Sequence, residues 1–248
     1  MRAIITGASS GIGHALAHEL ARRGYELALL ARRAELLTEL AASLPARAVA
    51  VACDVTDAAA VKEAVRRAEA ELGGPFDLAI ANAGVSIMNN GAKFRLADAE
   101  QVIRVNVLGV MYLYDAVIPS MIERKSGRFA AIASLAGLRG LPGAGPYSAS
   151  KAAVQAFLEA ARIDLVPYGV GVTTVNPGFI ATPMVEKNRF RMPFLMQPGK
   201  TATVIADGIE RGARLIEFPK PMSLLMRMAR LIPDALYERV MAKANRSR

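Results

Sequence analysis

One cysteine, two histidines, no tryptophan and 6% aromatic residues stand among 248. A single thiol, Cys53, rules out an intramolecular disulfide framework and any zinc site built from several thiolates. That usage suits a reducing compartment, and a cytoplasmic protein is expected. His14 and His18 share a predicted helix face at i and i+4, a spacing that can hold a metal ion. No third ligand is near in sequence, so they read as a surface pair and no metal is expected. No uncharged apolar run reaches the roughly 18 residues that cross a bilayer. The N-terminus, Met1-Arg2-Ala3-Ile4-Ile5-Thr6-Gly7, runs into a motif rather than a signal peptide. Hydrophobic residues make up 53% and charged residues 21%, which excludes intrinsic disorder. The length suits one α/β domain and is short for two catalytic domains with a linker.

Charge of one sign is in excess. The net charge is +9 and the isoelectric point near 10.0, which points to an anionic partner: nucleic acid, membrane or cofactor. The excess is uneven. Residues 1–183 hold 18 Lys or Arg against 16 Asp or Glu, whereas residues 184–248 hold 13 against 6. The basic character belongs to the last quarter of the chain.

Short β-rich apolar runs alternate with longer helical patterns. Strands are expected at Arg2–Thr6, Glu26–Ala31, Ala48–Cys53, Leu78–Asn82, Phe129–Ser134, Val170–Asn176 and Leu215–Phe218. Helices are expected at Gly11–Arg23, Ala34–Ser43 and Ala58–Leu72, over about twenty residues from Asp98, and at Tyr147–Tyr168. Strands that are continuously apolar and separated by helices form a parallel sheet buried on both faces. The order implies right-handed crossovers and a doubly wound α/β Rossmann fold of about seven strands. With no repeat or linker, residues 1–248 read as a single domain, 1–183 carrying the cofactor and catalytic part and 184–248 a substrate loop and C-terminal helices.

Thr6-Gly7-Ala8-Ser9-Ser10-Gly11-Ile12-Gly13 lies where the first strand feeds the first helix. Gly7 permits the tight turn, Gly11 a close approach of backbone to a pyrophosphate, and Gly13 close packing of helix on strand. The helix N-terminus offers free N–H groups and partial positive charge to phosphates. The second strand ends Ala31-Arg32-Arg33, where an acidic residue would favour NAD by accepting from a ribose hydroxyl. Two guanidiniums suit a 2′-phosphate instead, so NADP(H) is expected to be preferred, with NAD(H) left open. Asp54, in Cys53-Asp54-Val55, is placed to accept from an adenine amino group or to cap the next helix.

Tyr147 and Lys151 stand at i and i+4 on one helix. An ammonium beside a phenol is expected to lower its pKa from about 10 towards neutrality, so that it can exchange a proton with a carbonyl or alcohol. Ser134 ends the fifth strand, at the sheet edge where ligands bind in such folds, and its hydroxyl can bond a substrate oxygen.

From Arg2 to about Met184 the chain resembles the short-chain dehydrogenase/reductase family. The resemblance rests on the TGxxxGxG stretch at Thr6–Gly13, Asn82-Ala83-Gly84, Asn106, Ser134, Tyr147, Lys151, and Pro177-Gly178 leading to Thr182, in order and at family spacing. It implies an oxidoreductase that interconverts a ketone or aldehyde with an alcohol, with Tyr147 as acid/base. Lys151 would hold the nicotinamide ribose, Ser134 orient the carbonyl, and Asn106 hold a water in a relay through Lys151. The same resemblance implies that Gly7, Ser9, Ser10, Gly11, Ile12 and Gly13 surround the pyrophosphate. Asn82 and Gly84 would line the adenosine side, with Asp54, Val55 and Ala83 nearby. Pro177, Gly178, Ile180 and Thr182 would sit beside the nicotinamide. It also suggests a homodimer or homotetramer. Two departures stand out: Ala81-Asn82 replaces the usual double asparagine, and Ser10 stands where many NADP-using relatives carry a basic residue.

The last quarter departs from the family. Ile180–Lys200 holds Met184, Phe190, Met192, Phe194, Leu195 and Met196 with Lys187, Arg189 and Arg191. Met-rich apolar surface suits a greasy, adaptable pocket, or a lid that packs on its own domain. A hydrophobic small-molecule carbonyl or alcohol is the expected substrate. In the tail, Met222, Leu225, Met226 and Ala229 share a face, with Arg227 and Arg230 between, before a short helix from Asp234 to about Ala244. A helix covering the cleft or a subunit interface is the favoured reading, and a basic amphipathic segment on an anionic membrane the other. No nucleic-acid partner is expected, since neither a recognition helix nor an aromatic platform is evident. A non-catalytic dinucleotide-binding regulator on the same fold remains the alternative; an isomerase or epimerase would need a larger substrate domain.

Overall fold

The apolar runs pair in parallel, as their patterning requires. A computed structural model describes residues 1–186 and 192–246. Its strands are β1 (Arg2–Thr6), β2 (Glu26–Ala31), β3 (Ala48–Ala52), β4 (Leu78–Ala81), β5 (Arg128–Ile132), β6 (Gly171–Pro177) and β7 (Leu215–Phe218). They form one sheet in the order β3-β2-β1-β4-β5-β6-β7. The helices are α1 (Gly11–Arg22), α2 (Ala34–Ser43), α3 (Ala58–Leu72), α4 (Leu96–Ile103), α5 (Gly109–Arg124), α6 (Gly145–Asp164), α7 (Pro198–Glu210), α8 (Lys220–Leu231) and α9 (Asp234–Arg246).

Alternation along each strand builds two cores. Ala3, Ile5, Leu27 and Leu29 face one side with Leu16 and Leu20 of α1, Leu37 of α2, and Ile205 and Ile209 of α7. Ile4, Ala28 and Leu30 face the other with Val61 and Val65 of α3, Leu113 and Val117 of α5, and Val154 and Leu158 of α6. Burying each such side chain stabilises the fold by about 1.5–3 kcal/mol, so a one-residue slip of any central strand is strongly opposed. The chain runs outward through β2 and β3, then returns to the other side of β1 with β4. The crevice this reversal opens at the carboxyl ends of β1 and β4 is where open α/β sheets take ligands.

Three elements differ from expectation. The helix expected from Asp98 is interrupted by a π-helical turn over Arg104–Leu108 that separates α4 from α5. The stretch Leu96–Arg124 is long and apolar enough to cross a membrane by composition, with mean hydropathy 1.5. Its Val102, Val110, Leu113, Val117 and Met121 are nevertheless buried in the domain. Helix α6 starts at Gly145 and stops at Asp164 instead of running to Tyr168, because Pro167 lacks an N–H and disfavours helical backbone at Val166. Helix α7 was not expected at all. Pro198 opens it, and Ala202, Ile205, Ala206 and Ile209 bury one stripe. Arg23 at the end of α1 fastens it, donating to Asp207 at 2.7 Å and Glu210 at 2.6 Å while also bonding Glu19.

Candidate active site

The glycine-rich turn between β1 and α1 is pressed against the segment after β4. Gly7 has φ +67°, and a Cβ there would lie 2.8 Å from the Ala83 Cα. A Cβ on Gly13 would lie 2.4 Å from both Asn82 Nδ2 and the Gly7 carbonyl oxygen, so only glycine fits. Asn82 Nδ2 donates to the Thr6 and Gly7 carbonyls at 2.9 and 3.2 Å. The Thr6 hydroxyl accepts from the Asn82 and Ala83 N–H groups. Asn82 therefore braces the turn against the segment after β4. Gly84 follows it at close quarters to Asn106 and Lys151. A Cβ on it would be 3.4 Å from Asn106 Oδ1 and 3.6 Å from Lys151 Nζ, at the catalytic end.

Ser10 precedes α1 without a side-chain cap bond, which leaves the first-turn N–H groups as donors for a phosphate. Arg33 Nη2 reaches back across this turn to the Ser9 and Ser10 hydroxyls, at 3.0 and 3.2 Å. Thr182 closes the turn from the far side, its Cγ2 3.1 Å from where a Gly11 Cβ would stand. Asp54 Oδ1 accepts from the Thr56 N–H and hydroxyl, both at 2.9 Å. Those bonds, with the Arg32 charge, hold its carboxyl below the ordinary range against the opposing effect of burial. Val55 is buried and faces Gly109 at the start of α5. Ile12 packs half-buried against the core. A dinucleotide fits these features: a turn that admits no side chain, free donors at a helix start, and two exposed guanidiniums beside it.

Ser134, Tyr147 and Lys151 converge where β5 ends and α6 begins. Ser134 is buried; its Oγ accepts from the Ala136 N–H at 3.1 Å and lies 3.5 Å from the Pro177 carbonyl. The Ser134 hydroxyl also acts on the Tyr147 phenol, favouring its ionised form. Lys151 is buried on the same helix face, with Nζ donating to the Ile132 carbonyl at 2.8 Å and lying 5.7 Å from the Tyr147 ring centre. The expected electrostatics are altered. Burial pushes the Tyr147 phenol up, offset in part by Ser134. Burial also pulls the Lys151 ammonium down to about 8. The ammonium is held by a main-chain carbonyl. One Lys151 hydrogen is committed to Ile132, leaving two for ribose hydroxyls or a relay water.

Asn106 is fully buried in the π-helical turn. Its Oδ1 accepts from the Val85 N–H, and its Nδ2 donates to the Val85 carbonyl and the Ser150 hydroxyl. The Ser150 hydroxyl donates in turn to the Tyr147 carbonyl at 2.7 Å. The Asn106 side chain thus ties the π-helical turn to the start of α6. Pro177 and Gly178 end β6, and the Gly178 N–H donates to the Phe218 carbonyl at 2.8 Å. Among the described residues, no group of three His, Cys, Asp or Glu could hold a metal. The His14 and His18 rings lie 4.9 Å apart between centres, tilted 53° to one another.

The family model for short chain dehydrogenase matches residues 1–192. This chain belongs to the short-chain dehydrogenase family. An uncharacterized oxidoreductase of Myxococcus xanthus is 41% identical over 239 residues, covering 95% of this chain and 94% of that protein. An alcohol dehydrogenase from Thermococcus sibiricus, solved with 5-hydroxy-NADP, superposes with TM-score 0.77 at 28% identity, over 88% of this chain and 94% of that one. A family member from Burkholderia phymatum, solved with NAD, superposes with TM-score 0.82 at 25% identity, over 91% of each. The protein is an NAD(P)-dependent oxidoreductase of this family.

In this short-chain dehydrogenase Ser134 is backed by a polar chain that sequence reasoning missed. Gln155 Nε2 donates to the Ser134 carbonyl at 2.7 Å and to Asn176 Oδ1 at 3.0 Å. Asn176 Nδ2 donates to Glu217 Oε1, and Glu217 Oε2 accepts from Ser223 at 2.7 Å and Arg227 at 2.8 Å. The readable signal was a lone acid in the apolar run Leu215-Ile216-Glu217-Phe218. A buried carboxylate needs partners.

The segment between Ile180 and Met196 in this dehydrogenase is closed at its neck. Ile180 bridges Met196, with Ala181 N–H donating to the Met196 carbonyl and Met196 N–H to the Phe179 carbonyl. Met184, Phe194 and Leu195 are exposed on it. Lys187, Arg189, Phe190 and Arg191 lie outside the described residues. The tail packs on the segment after Ser134. Arg139 donates to Asp234 at 2.8 Å and lies 4.3 Å from the Tyr237 ring centre, and the Tyr237 hydroxyl donates to the Gly140 carbonyl at 2.7 Å. Helix α8 buries Met222 and Ser223 and half-buries Met226 and Ala229. Leu225, expected on that face, is exposed instead.

Proposed function

We propose that this protein is an NADP(H)-preferring carbonyl reductase or alcohol dehydrogenase for a hydrophobic substrate, working in the cytoplasm as a homo-oligomer. The observation that carries the chemistry is the gathering of Ser134, Tyr147 and the buried Lys151 where β5 ends and α6 begins, with Lys151 Nζ 5.7 Å from the Tyr147 ring centre. The nicotinamide supplies or accepts the hydride. Ser134 orients the substrate oxygen, and Tyr147 gives it a proton during reduction and takes one back during oxidation. The Lys151 ammonium stabilises the phenolate left behind. Asn106 and Ser150 hold the start of α6 so that Tyr147 meets Ser134.

NADP(H) preference is supported by Arg33 reaching over the glycine-rich turn, with Arg32 beside it and no acid at the end of β2. Each guanidinium–phosphate contact contributes about 1.5–3 kcal/mol. Replacing both with alanine removes two such contacts, about 3–6 kcal/mol together, and is therefore expected to raise the KM for NADPH by roughly a hundredfold or more and leave that for NADH little changed. An equal change in both would refute the assignment. The hydrophobic substrate is supported by the exposed Met184, Phe194 and Leu195 beside the site. A carbonyl panel read at the reduced-nicotinamide band tests it, and equal turnover of long apolar and short polar ketones would sink it.

A further inference from the structure

Helix α8 is apolar on two opposite sides. Met222, Met226 and Ala229 turn towards the domain. At 100° per residue the outward side collects Leu224, Met228 and Leu231, with Leu225 on its flank. These four are 62%, 57%, 84% and 57% exposed. Helix α9 carries the pattern on with exposed Leu236 and Val240. Lys220, Arg227, Arg230, Arg239 and Lys243 are interspersed, and residues 219–248 hold seven Lys or Arg against two Asp or Glu. A contiguous exposed apolar ridge edged by cations is not how a free aqueous surface is built.

We propose that the outward face of α8 and α9 docks on an anionic lipid bilayer. Charge selects this occupant over a second copy of the chain. A twofold contact sets a patch against itself, so two strongly basic surfaces would meet. An anionic leaflet instead neutralises the cations while the leucines and methionine enter the headgroup boundary. Position agrees. In a parallel sheet the segments following every strand leave at one edge. The exposed Met88, Phe94 and Leu96 follow β4, Met184, Phe194 and Leu195 follow β6, and the tail follows β7. Apolar exposure therefore accumulates at the catalytic edge. Arg139 and Tyr237 fasten the docking helices to the segment directly after Ser134. The inference does not depend on which cofactor or carbonyl the enzyme prefers.

Co-sedimentation of the full chain with vesicles tests it. The wild type is expected to pellet with phosphatidylcholine vesicles containing about 30% phosphatidylglycerol, to stay in solution with phosphatidylcholine alone, and to be released by salt. The variant Leu224→Glu/Met228→Glu/Leu231→Glu changes only exposed side chains. It is expected to lower partitioning by roughly tenfold or more, with circular dichroism and turnover of a water-soluble carbonyl unchanged. If that variant folds poorly, the charge reversal Lys220→Glu/Arg239→Glu/Lys243→Glu is expected to give the same loss. Three results would overturn the proposal: a wild type that ignores anionic vesicles, folded variants that bind them equally well, or a wild type whose lipid-free oligomer is broken by the leucine substitutions. The last would assign the face to a second copy.

Discussion

Replacing Lys151 with methionine is expected to destroy catalysis and yet make the protein without cofactor more stable. The lysine is buried, and burial lowers its ammonium from the ordinary 10.5 to about 8. That fall corresponds to about 3 kcal/mol of desolvation carried by the folded state at neutral pH. Methionine keeps most of the stem and sheds the charge, but strands the Ile132 carbonyl, at about 1 kcal/mol. The net expectation is about 2 kcal/mol of added stability at pH 7, or roughly 4–8 °C in Tm for a chain of this size. The sign changes with pH in a way that only the lysine produces. Below about pH 8 the ammonium is charged in both folded and unfolded chains, and the full penalty applies. Between about 8 and 10.5 the folded protein releases its proton while the unfolded chain keeps it, so wild-type stability rises relative to the variant. Urea melts of both proteins at pH 7, 8, 9 and 10 measure the difference, with other titrating groups cancelling because both proteins share them. A variant that is no more stable at pH 7, with a difference flat up to pH 10, would refute the claim that Lys151 is held at a cost to the fold.

Tyr147→Phe is expected to lower kcat roughly a thousandfold, the scale of a lost general acid, while fluorescence titration shows unchanged NADPH binding. Gly13→Ala forces a methyl to within 2.4 Å of Asn82 Nδ2 and the Gly7 carbonyl oxygen. It is expected to cost about 1–3 kcal/mol in a thermal melt and to weaken cofactor binding at the same time. Burial pushes the Glu217 carboxyl up, but the bonds from Arg227, Ser223 and Asn176 outweigh it and hold the group below its ordinary range. Glu217→Gln is thus expected to lose about 1–2 kcal/mol at pH 7, the half-exposed Arg227 limiting the figure, with the deficit closing as pH falls through the carboxyl range.

The fold was legible where local pattern and tertiary role agree. Ile4-Ile5 and Leu27–Leu30 can only be central strands, and Gly73, in left-handed conformation, ends α3 where the Gly-Gly-Pro run places its stop. Tyr147 and Lys151 share one helix face by their spacing alone, and Ser134 closes the strand whose end they face. What stayed hidden depends on partners far away in sequence. The amides of Asn82 and Asn106 are tied to Thr6, Gly7, Val85 and Ser150, bonds that no local pattern announces. No pattern pairs Arg23 with Asp207, which lies 184 residues away. Lys151 showed its charge in the sequence but not its burial. Helix α7 is a different kind of miss. Pro198 and the stripe Ala202, Ile205, Ala206 and Ile209 were readable, and the methionine-rich run before them drew the loop reading too far. In α8 the apolar residues were counted onto one face, although they divide between two.

The closed neck at Ile180 and Met196 has a consequence for how this enzyme's repertoire can change. The two residues meet as bridge partners, so the intervening stretch of about fifteen begins and ends at one fixed point on the domain. For a flexible loop with joined ends, doubling the length costs only about 0.6 kcal/mol in closure entropy. New sequence spliced between them is therefore nearly free of charge to the sheet, because Ala181 and Met196 hold the junction whatever lies inside. The neck makes the segment interchangeable. Whole loops can be exchanged there while β5, β6 and the start of α6 stay in register.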